Sequence, residues 1–317
     1  MVVEALLLIA ASIPVLYLGA RWLVENAAEA GRRAGISALL IGLTVVAFGT
    51  SAPELAVSTL AATTGETDIA VANVLGSNIF NIGVVLAAGA ILAPLVVRPR
   101  SLGPHAATLL ITSLLFLALS ADGSLAGLDG VLLLVSFGGL LAFAYITGKT
   151  GVMAKVVAET PGAVPVKGSG PARLVGGIAV GLGFLVLGAQ ALVTGAVDLA
   201  SAAGVDSRVV GLTVVAAGTS LPELATSLVA SHMKEDDIAI GNVVGSNLFN
   251  IAAILGVSAL IAPLPVGGPA LVDFAVMMGF TVAMLLFMRT GSRLTGRKGA
   301  ALFVGYMAYL AWLLATL

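Results

Sequence analysis

The chain has 317 residues, of which 59% are hydrophobic and only 10% charged, with a formal net charge of −1 and no cysteine. A soluble domain carries about 25% charged residues, so this chain lacks the charge to cover a water-facing surface. The balanced charge gives no footing for nucleic acid, and the missing cysteines exclude disulfides, thiolate metal sites and cysteine nucleophiles.

Apolar runs of spanning length recur from end to end, and they predict an all-α membrane protein of ten transmembrane helices. The first covers 3–27; it lacks a basic leader and carries Glu4, so it reads as a spanning helix and not as a signal peptide. The second, 38–64, is apolar except for a carboxylate at its middle, Glu54. The third, 69–92, carries Asn73, Ser77 and Asn81 within an apolar run. Helices at 105–121 and 128–147 complete the first half. A polar stretch with three prolines and three lysines, 148–171, reads as a linker. Helices at 172–199, 208–232, 238–263, 269–289 and 300–316 follow.

Residues 42–94 align with 211–263 at a constant offset of 169 without a gap, and 31 of the 53 positions are identical. This internal repeat divides the chain into a five-helix unit, 1–147, the linker 148–171, and a second five-helix unit, 172–317. Five is odd, so the second unit must enter the membrane upside down. Two inverted repeats with a site near the midplane are a plan of secondary transporters.

Loops assigned alternately to two sides place Arg32, Arg33, Arg98, Arg100, Lys149, Lys155, Lys167, Arg173, Lys234, Arg289, Arg293, Arg297 and Lys298 on one side, and only Arg208 on the other. Positive charge marks the cytoplasmic face. The expectation is a multi-pass cell-membrane protein with both termini outside and the linker inside.

Without thiolates, a metal must be held by oxygen, or by His105 or His232, and oxygen suits hard cations. A carboxylate at mid-bilayer costs roughly 2.5–3.5 kcal/mol, so Glu54 and its repeat partner Glu223 must face a cavity or a partner. Pro53 and Pro222 precede them and deprive the carbonyls of Gly49 and Gly218 of a donor. Each helix should break there, and free carbonyls suit a dehydrated cation. Thr50 shares a helix face with Glu54 at i,i+4, as Ser77 does with Asn81 and Ser246 with Asn250.

A plainer reading competes. Ser51-x-x-Glu54 and Ser220-x-x-Glu223 both fit capping boxes, which merely start a helix. Asp68 and Asp237 sit at helix starts and read as capping residues. Asn73 and Asn242 fit helix–helix hydrogen bonding as well as ion contact. The two histidines lie near loops and read as interfacial. Arg21, Glu25 and Glu29 form a local cluster without a matching second copy.

With these residues in view, the repeats GTSAPE…GSNIFN and GTSLPE…GSNLFN resemble those of the cation/Ca2+ antiporter superfamily, in its prokaryotic sodium/calcium exchanger branch. The resemblance covers the whole ten-helix plan. It implies antiport of Ca2+ against Na+, with a central Ca2+ site at Glu54, Glu223 and the carbonyls of Thr50 and Thr219. It implies flanking Na+ sites at Ser51, Ser77 and the carbonyl of Ala47, and at Ser220, Ser246 and the carbonyl of Ala216. The middle polar position maps to Asn81 and Asn250. Proton/calcium exchangers share the architecture but read Gly-Asn near the acid; the hydroxyls here favour Na+ as counter-ion, with exchange of H+ for Ca2+ or another divalent cation as the alternative. A cation channel is a third possibility. No lysine or arginine lies in the core helices to hold an organic anion, and no nucleophile–base pair suggests an enzyme. The expected partners are the two transported ions and the lipid bilayer, with no cofactor.

Overall fold

A computed structural model describes residues 2–97, 99–149, 170–204, 216–291 and 293–316. The helices are α1 (Val2–Ala34), α2 (Ala38–Ile41), α3 (Ala47–Thr50), α4 (Ala52–Thr64), α5 (Thr67–Phe80), α6 (Ala87–Leu92), α7 (Pro99–Leu119), α8 (Gly127–Lys149), α9 (Pro171–Ala202), α10 (Ala216–Gly218), α11 (Leu221–His232), α12 (Asp236–Phe249), α13 (Leu255–Ile261), α14 (Pro269–Arg289) and α15 (Gly296–Thr316). Three short π-helical turns join neighbours: Gly42–Val46 between α2 and α3, Asn81–Leu86 between α5 and α6, and Asn250–Ile254 between α12 and α13.

Seven helices among the described residues are long and apolar enough to cross a membrane, and eight when the bent pair Ala38–Thr50 and Ala52–Thr64 counts as one span. Two of the ten predicted spans fall short of that test. The span at 105–121 lies largely within α7, where the apolar helix found among the described residues is Ala107–Leu119. The span at 208–232 begins among residues 205–215, which lie outside the described residues, as does most of the predicted linker. Elsewhere the periodic apolar runs became helices, and α1 extends a further two turns to Ala34.

Hydropathy does not distinguish core from periphery. The run from Thr67 to Leu92 is 78% buried along its apolar stretch and the run from Asp236 to Ile261 is 83% buried, against 11% for α15 and 17% for α8. The two central runs are the ones carrying the repeated polar motif. A lipid-facing helix and a buried one need the same apolar composition, because lipid and protein interior are equally apolar.

Two short ladders tie the ends together. Strand β1 (Leu95–Val96) pairs antiparallel with β4 (Arg293–Leu294), and β2 (Ser124–Leu125) with β3 (Leu264–Pro265). The Val96 N–H donates to Asp236 Oδ2 at 3.0 Å, and Arg32 meets Glu235 at 3.7 Å. The C-terminal ends of α1, α6 and α14 therefore gather with the starts of α12 and α15. The C-terminal ends of α7 and α13 gather with the starts of α8 and α14.

Small residues let backbones touch at the crossings. A Cβ on Gly181 of α9 would lie 2.7 Å from the Leu23 amide of α1, and one on Gly241 of α12 would lie 2.7 Å from the Leu39 carbonyl of α2. Where α4 ends, Gly65 takes φ 84°. Its repeat equivalent at the end of α11 is Lys234, held at φ 62°, the one non-glycine with positive φ among the described residues.

Candidate functional site

The proline effect is visible in both copies. Helix α3 stops at Thr50, Ser51 takes φ −84°, ψ 9°, and α4 departs at 48° to the preceding axis. Ser220 repeats the turn at φ −89°, ψ 8° before α11. Neither serine caps its own helix with its side chain, so the capping-box reading fails for the hydroxyls. Ser51 Oγ instead donates to Glu223 Oε1 at 2.7 Å, and Ser220 Oγ donates to Glu54 Oε1 at 2.8 Å. The two bonds are reciprocal: exchanging the copies converts each into the other.

Glu54 and Glu223 are fully buried. Their second carboxylate oxygens, both Oε2 atoms, have no hydrogen-bond partner, and neither do Ser77 Oγ, Asn81 Oδ1 and Asn250 Oδ1. These five make up most of the eight unpartnered buried polar side-chain atoms among the described residues; the others are the hydroxyls of Thr59, Thr226 and Ser258. Buried polar atoms are ordinarily satisfied, so a cluster of exceptions demands a cause. Four of the five are carboxylate or amide oxygens that can only accept. Acceptors without donors are what a hard cation needs.

The remaining predicted residues divide. Ser246 Oγ donates to Glu223 Oε1 at 3.4 Å, whereas its counterpart Ser77 has no partner, so the two copies are not in identical states. Thr50 Oγ1 lies 3.1 Å from Asn242 Oδ1 and 3.3 Å from the Ala47 carbonyl. That carbonyl also accepts from the Ser51 amide at 3.0 Å, so Ala47 O is engaged within its own turn. The Thr219 side chain lies beside Glu54. Ala216 opens α10, one turn ahead of Ser220.

Asn73 and Asn242 serve as helix–helix links. Asn73 Nδ2 donates to Ser58 Oγ at 2.9 Å and to the Glu54 carbonyl at 3.3 Å; Asn242 Nδ2 donates to Ser227 Oγ at 3.0 Å and to the Glu223 carbonyl at 3.3 Å. Asp68 and Asp237 occupy the first turns of α5 and α12, where the helix dipole favours them. Arg21 pairs with Glu25, while Glu29 accepts from Arg32 and Arg33. His105 departs from expectation: α7 starts earlier than predicted, and His105 is buried with its ring against Phe143.

Two further buried asparagines join this set. Asn78 and Asn247 lie inside the quoted motifs and are fully or almost fully buried, and they bond across the copies to Asn250 and Asn81. Their signal was present: repeat-matched amides in apolar helices. The π-turns that begin at Asn81 and Asn250 left no sequence signal, although such turns are frequent at functional sites.

Comparison with known proteins gives a consistent result. A family model described as sodium/calcium exchanger protein matches residues 4–146 and again 173–315. The chain is 39% identical over 295 residues to the putative antiporter CaxA of Alkalimonas amylolytica, covering 90% of this chain and 91% of that protein. It is 31% identical to the sodium/calcium exchanger MaX1 of Methanosarcina acetivorans, covering 92% and 93%. Among solved structures it resembles the sodium-calcium exchanger NCX_Mj soaked with zero Na+ and Ca2+, with a TM-score of 0.82, 30% identity and coverage of 99% of this chain and 100% of that one.

Proposed function

The chain belongs to the sodium/calcium exchanger family and is a membrane antiporter of Na+ and Ca2+, and we propose that it works by alternating access at the site built around Glu54 and Glu223. The observation that carries this reading is the buried set of unpartnered acceptors on Glu54, Glu223, Asn81 and Asn250. Ca2+ takes six to eight oxygens. The two carboxylates supply the charge of that shell, and the Thr50 and Thr219 carbonyls add neutral oxygens. Ser51, Ser77 and the Ala47 carbonyl would take Na+ on one side, and Ser220, Ser246 and the Ala216 carbonyl on the other. Asn81 and Asn250 fill the middle with neutral oxygens.

The ion itself enforces exchange in this scheme. Ca2+ and Na+ compete for overlapping ligands, so binding of one disfavours the other. Without either, two like charges are buried in one apolar place, and a bundle in that state resists rearrangement. The moving part is the α1–α9 pair, whose backbones touch at Gly19 and Gly181, sliding against the site helices.

The architecture belongs to the same proposal: ten spans in two inverted halves, 1–147 and 172–317, joined by a cytoplasmic linker at 148–171, with both termini outside the cell membrane. Two observations support it. The family model matches two separate stretches of the same length. The end of the α5–α6 run also meets the start of α12 through Val96 and Asp236, as expected of equivalent segments running in opposite directions.

The test is Ca2+ uptake into vesicles of the purified protein under an imposed outward Na+ gradient, beside an imposed pH gradient. Uptake driven by Na+ is expected. Uptake driven by the pH gradient alone would assign the proton as counter-ion, and Ca2+ flux without any counter-ion would describe a channel.

A further inference from the structure

Four asparagines form a closed set between the copies. Asn81 Nδ2 donates to Asn247 Oδ1 at 3.1 Å, and Asn250 Nδ2 donates to Asn78 Oδ1 at 2.9 Å. Asn78 Nδ2 in turn donates to the Asn247 backbone carbonyl at 3.3 Å, and Asn247 Nδ2 to the Asn78 backbone carbonyl at 3.4 Å. All four side chains are buried, none more than 1% exposed.

The bonds run in a determined direction. A backbone carbonyl only accepts, so the group facing it must be the amide NH2. That requirement fixes which way Asn78 and Asn247 point. Their Oδ1 atoms then face the neighbouring side chains and demand a donor. Asn250 and Asn81 must each turn their NH2 to meet them, and their own Oδ1 atoms are left aimed away, buried and without a partner. A flipped Asn250 would set oxygen against oxygen at Asn78 and present an NH2 where a cation needs an acceptor. Ser246 touches Glu223, and Asn250 stands one turn further along the same run, on the helix face that Ser246 presents to that carboxylate.

We infer that Asn78 and Asn247 are positioning residues for ion binding: they transmit the polarity of two backbone carbonyls to Asn250 and Asn81, holding the Oδ1 atoms of those residues toward the ion. The inference rests on the transport reading above. It assigns Asn78 and Asn247 an effect on affinity that operates through a neighbour, without contact with the ion.

The test is a double-mutant cycle on Na+-driven Ca2+ uptake in reconstituted vesicles, with Asn78→Ala, Asn250→Ala and the double variant, and the mirror set Asn247→Ala and Asn81→Ala. Each variant is first checked for monodispersity and matched in amount. Asn78→Ala should raise the half-saturating Ca2+ concentration about tenfold, with a smaller change in maximal rate. In the Asn250→Ala background the same substitution should change it little, because the group it orients is gone. Additive losses, a fall in maximal rate at unchanged affinity, or failure of both Asn78→Ala and Asn247→Ala to insert would mark the two residues as helix-packing groups and overturn the inference. Wild-type protein and Glu54→Gln run in parallel. Absence of Na+-driven Ca2+ uptake by the wild type would overturn the transport reading itself, whereas normal wild-type exchange with unaltered Asn78→Ala affinity would overturn only the positioning role.

Discussion

Ser51 donates its hydroxyl to Glu223, 172 positions away in the other copy of the repeat, at 2.7 Å. Together with the converse bond from Ser220 to Glu54, it means that neither carboxylate is held by its own copy alone. Each Glu spends one oxygen on this cross-bond and keeps the other free. A single repeat could not build the proposed site, and damage to one copy reaches the acid of the other.

Charge removal at either acid should stop exchange. Glu54→Gln and Glu223→Gln keep the shape and the acceptor facing the serine, but each deletes half the negative charge available to a divalent ion. Na+-driven Ca2+ uptake should fall to background in both, at normal protein levels. Asp68→Asn and Asp237→Asn, at helix starts, should cost up to about 1 kcal/mol of helix stability and leave uptake working. Near-normal flux from either Glu variant would move the site elsewhere.

The serines should separate stability from ion response. Ser77 Oγ has no partner among the described residues, so Ser77→Ala breaks none of the bonds seen there. Its unfolding temperature should match wild type without ions, while the Na+ concentration needed to drive uptake rises. Ser220→Ala removes a hydrogen bond to the buried Glu54 carboxylate, costing about 1–3 kcal/mol. Thermal unfolding in detergent, with and without Na+, distinguishes the two. Equal unfolding temperatures for both variants would contradict the assignment.

Topology can be read by labelling, because the chain has no cysteine of its own. Arg293 lies at the end where α1 and α6 finish, and Asp122 lies at the opposite end, next to β2. With the basic end in the cytoplasm, Asp122→Cys should react with an impermeant maleimide from outside intact cells. Arg293→Cys should react only after the membrane is opened. The reverse pattern would invert the proposed orientation.

The left-handed turn after α11 offers a stabilising change. Lys234 adopts φ 62° where the equivalent position of the first copy is Gly65. A side chain in that conformation costs roughly 1–2 kcal/mol, partly offset by glycine's greater chain entropy. Lys234→Gly should therefore raise stability by about 0.5–1 kcal/mol, seen as a higher unfolding temperature with unchanged Ca2+ uptake. A lower unfolding temperature would show that the lysine side chain compensates its backbone.

The sequence alone determined that the chain is a helical membrane protein, that it contains one unit twice, and that two acids sit where apolar helices break. These properties are local or one-dimensional. Mean hydropathy, the offset of 169, and a proline one residue before Glu54 and Glu223 require no knowledge of which helices touch. The family followed from the same motifs. What tertiary structure alone decided is partnership. Ser51 fits a capping box in the sequence; only the approach of α11 shows its hydroxyl bonded to Glu223. Asn78 looks like one more small polar residue in GSNIFN until α12 brings Asn250 and the Asn247 carbonyl against it. Burial was equally hidden, since α5 and α15 are both apolar and only one lies in the core. The physical reason is common to all three. In a membrane, lipid and protein present the same apolar surroundings, so composition places a helix in the bilayer but not against its neighbour. Hydrogen bonds between buried polar side chains supply that choice, and they form between residues about 170 positions apart.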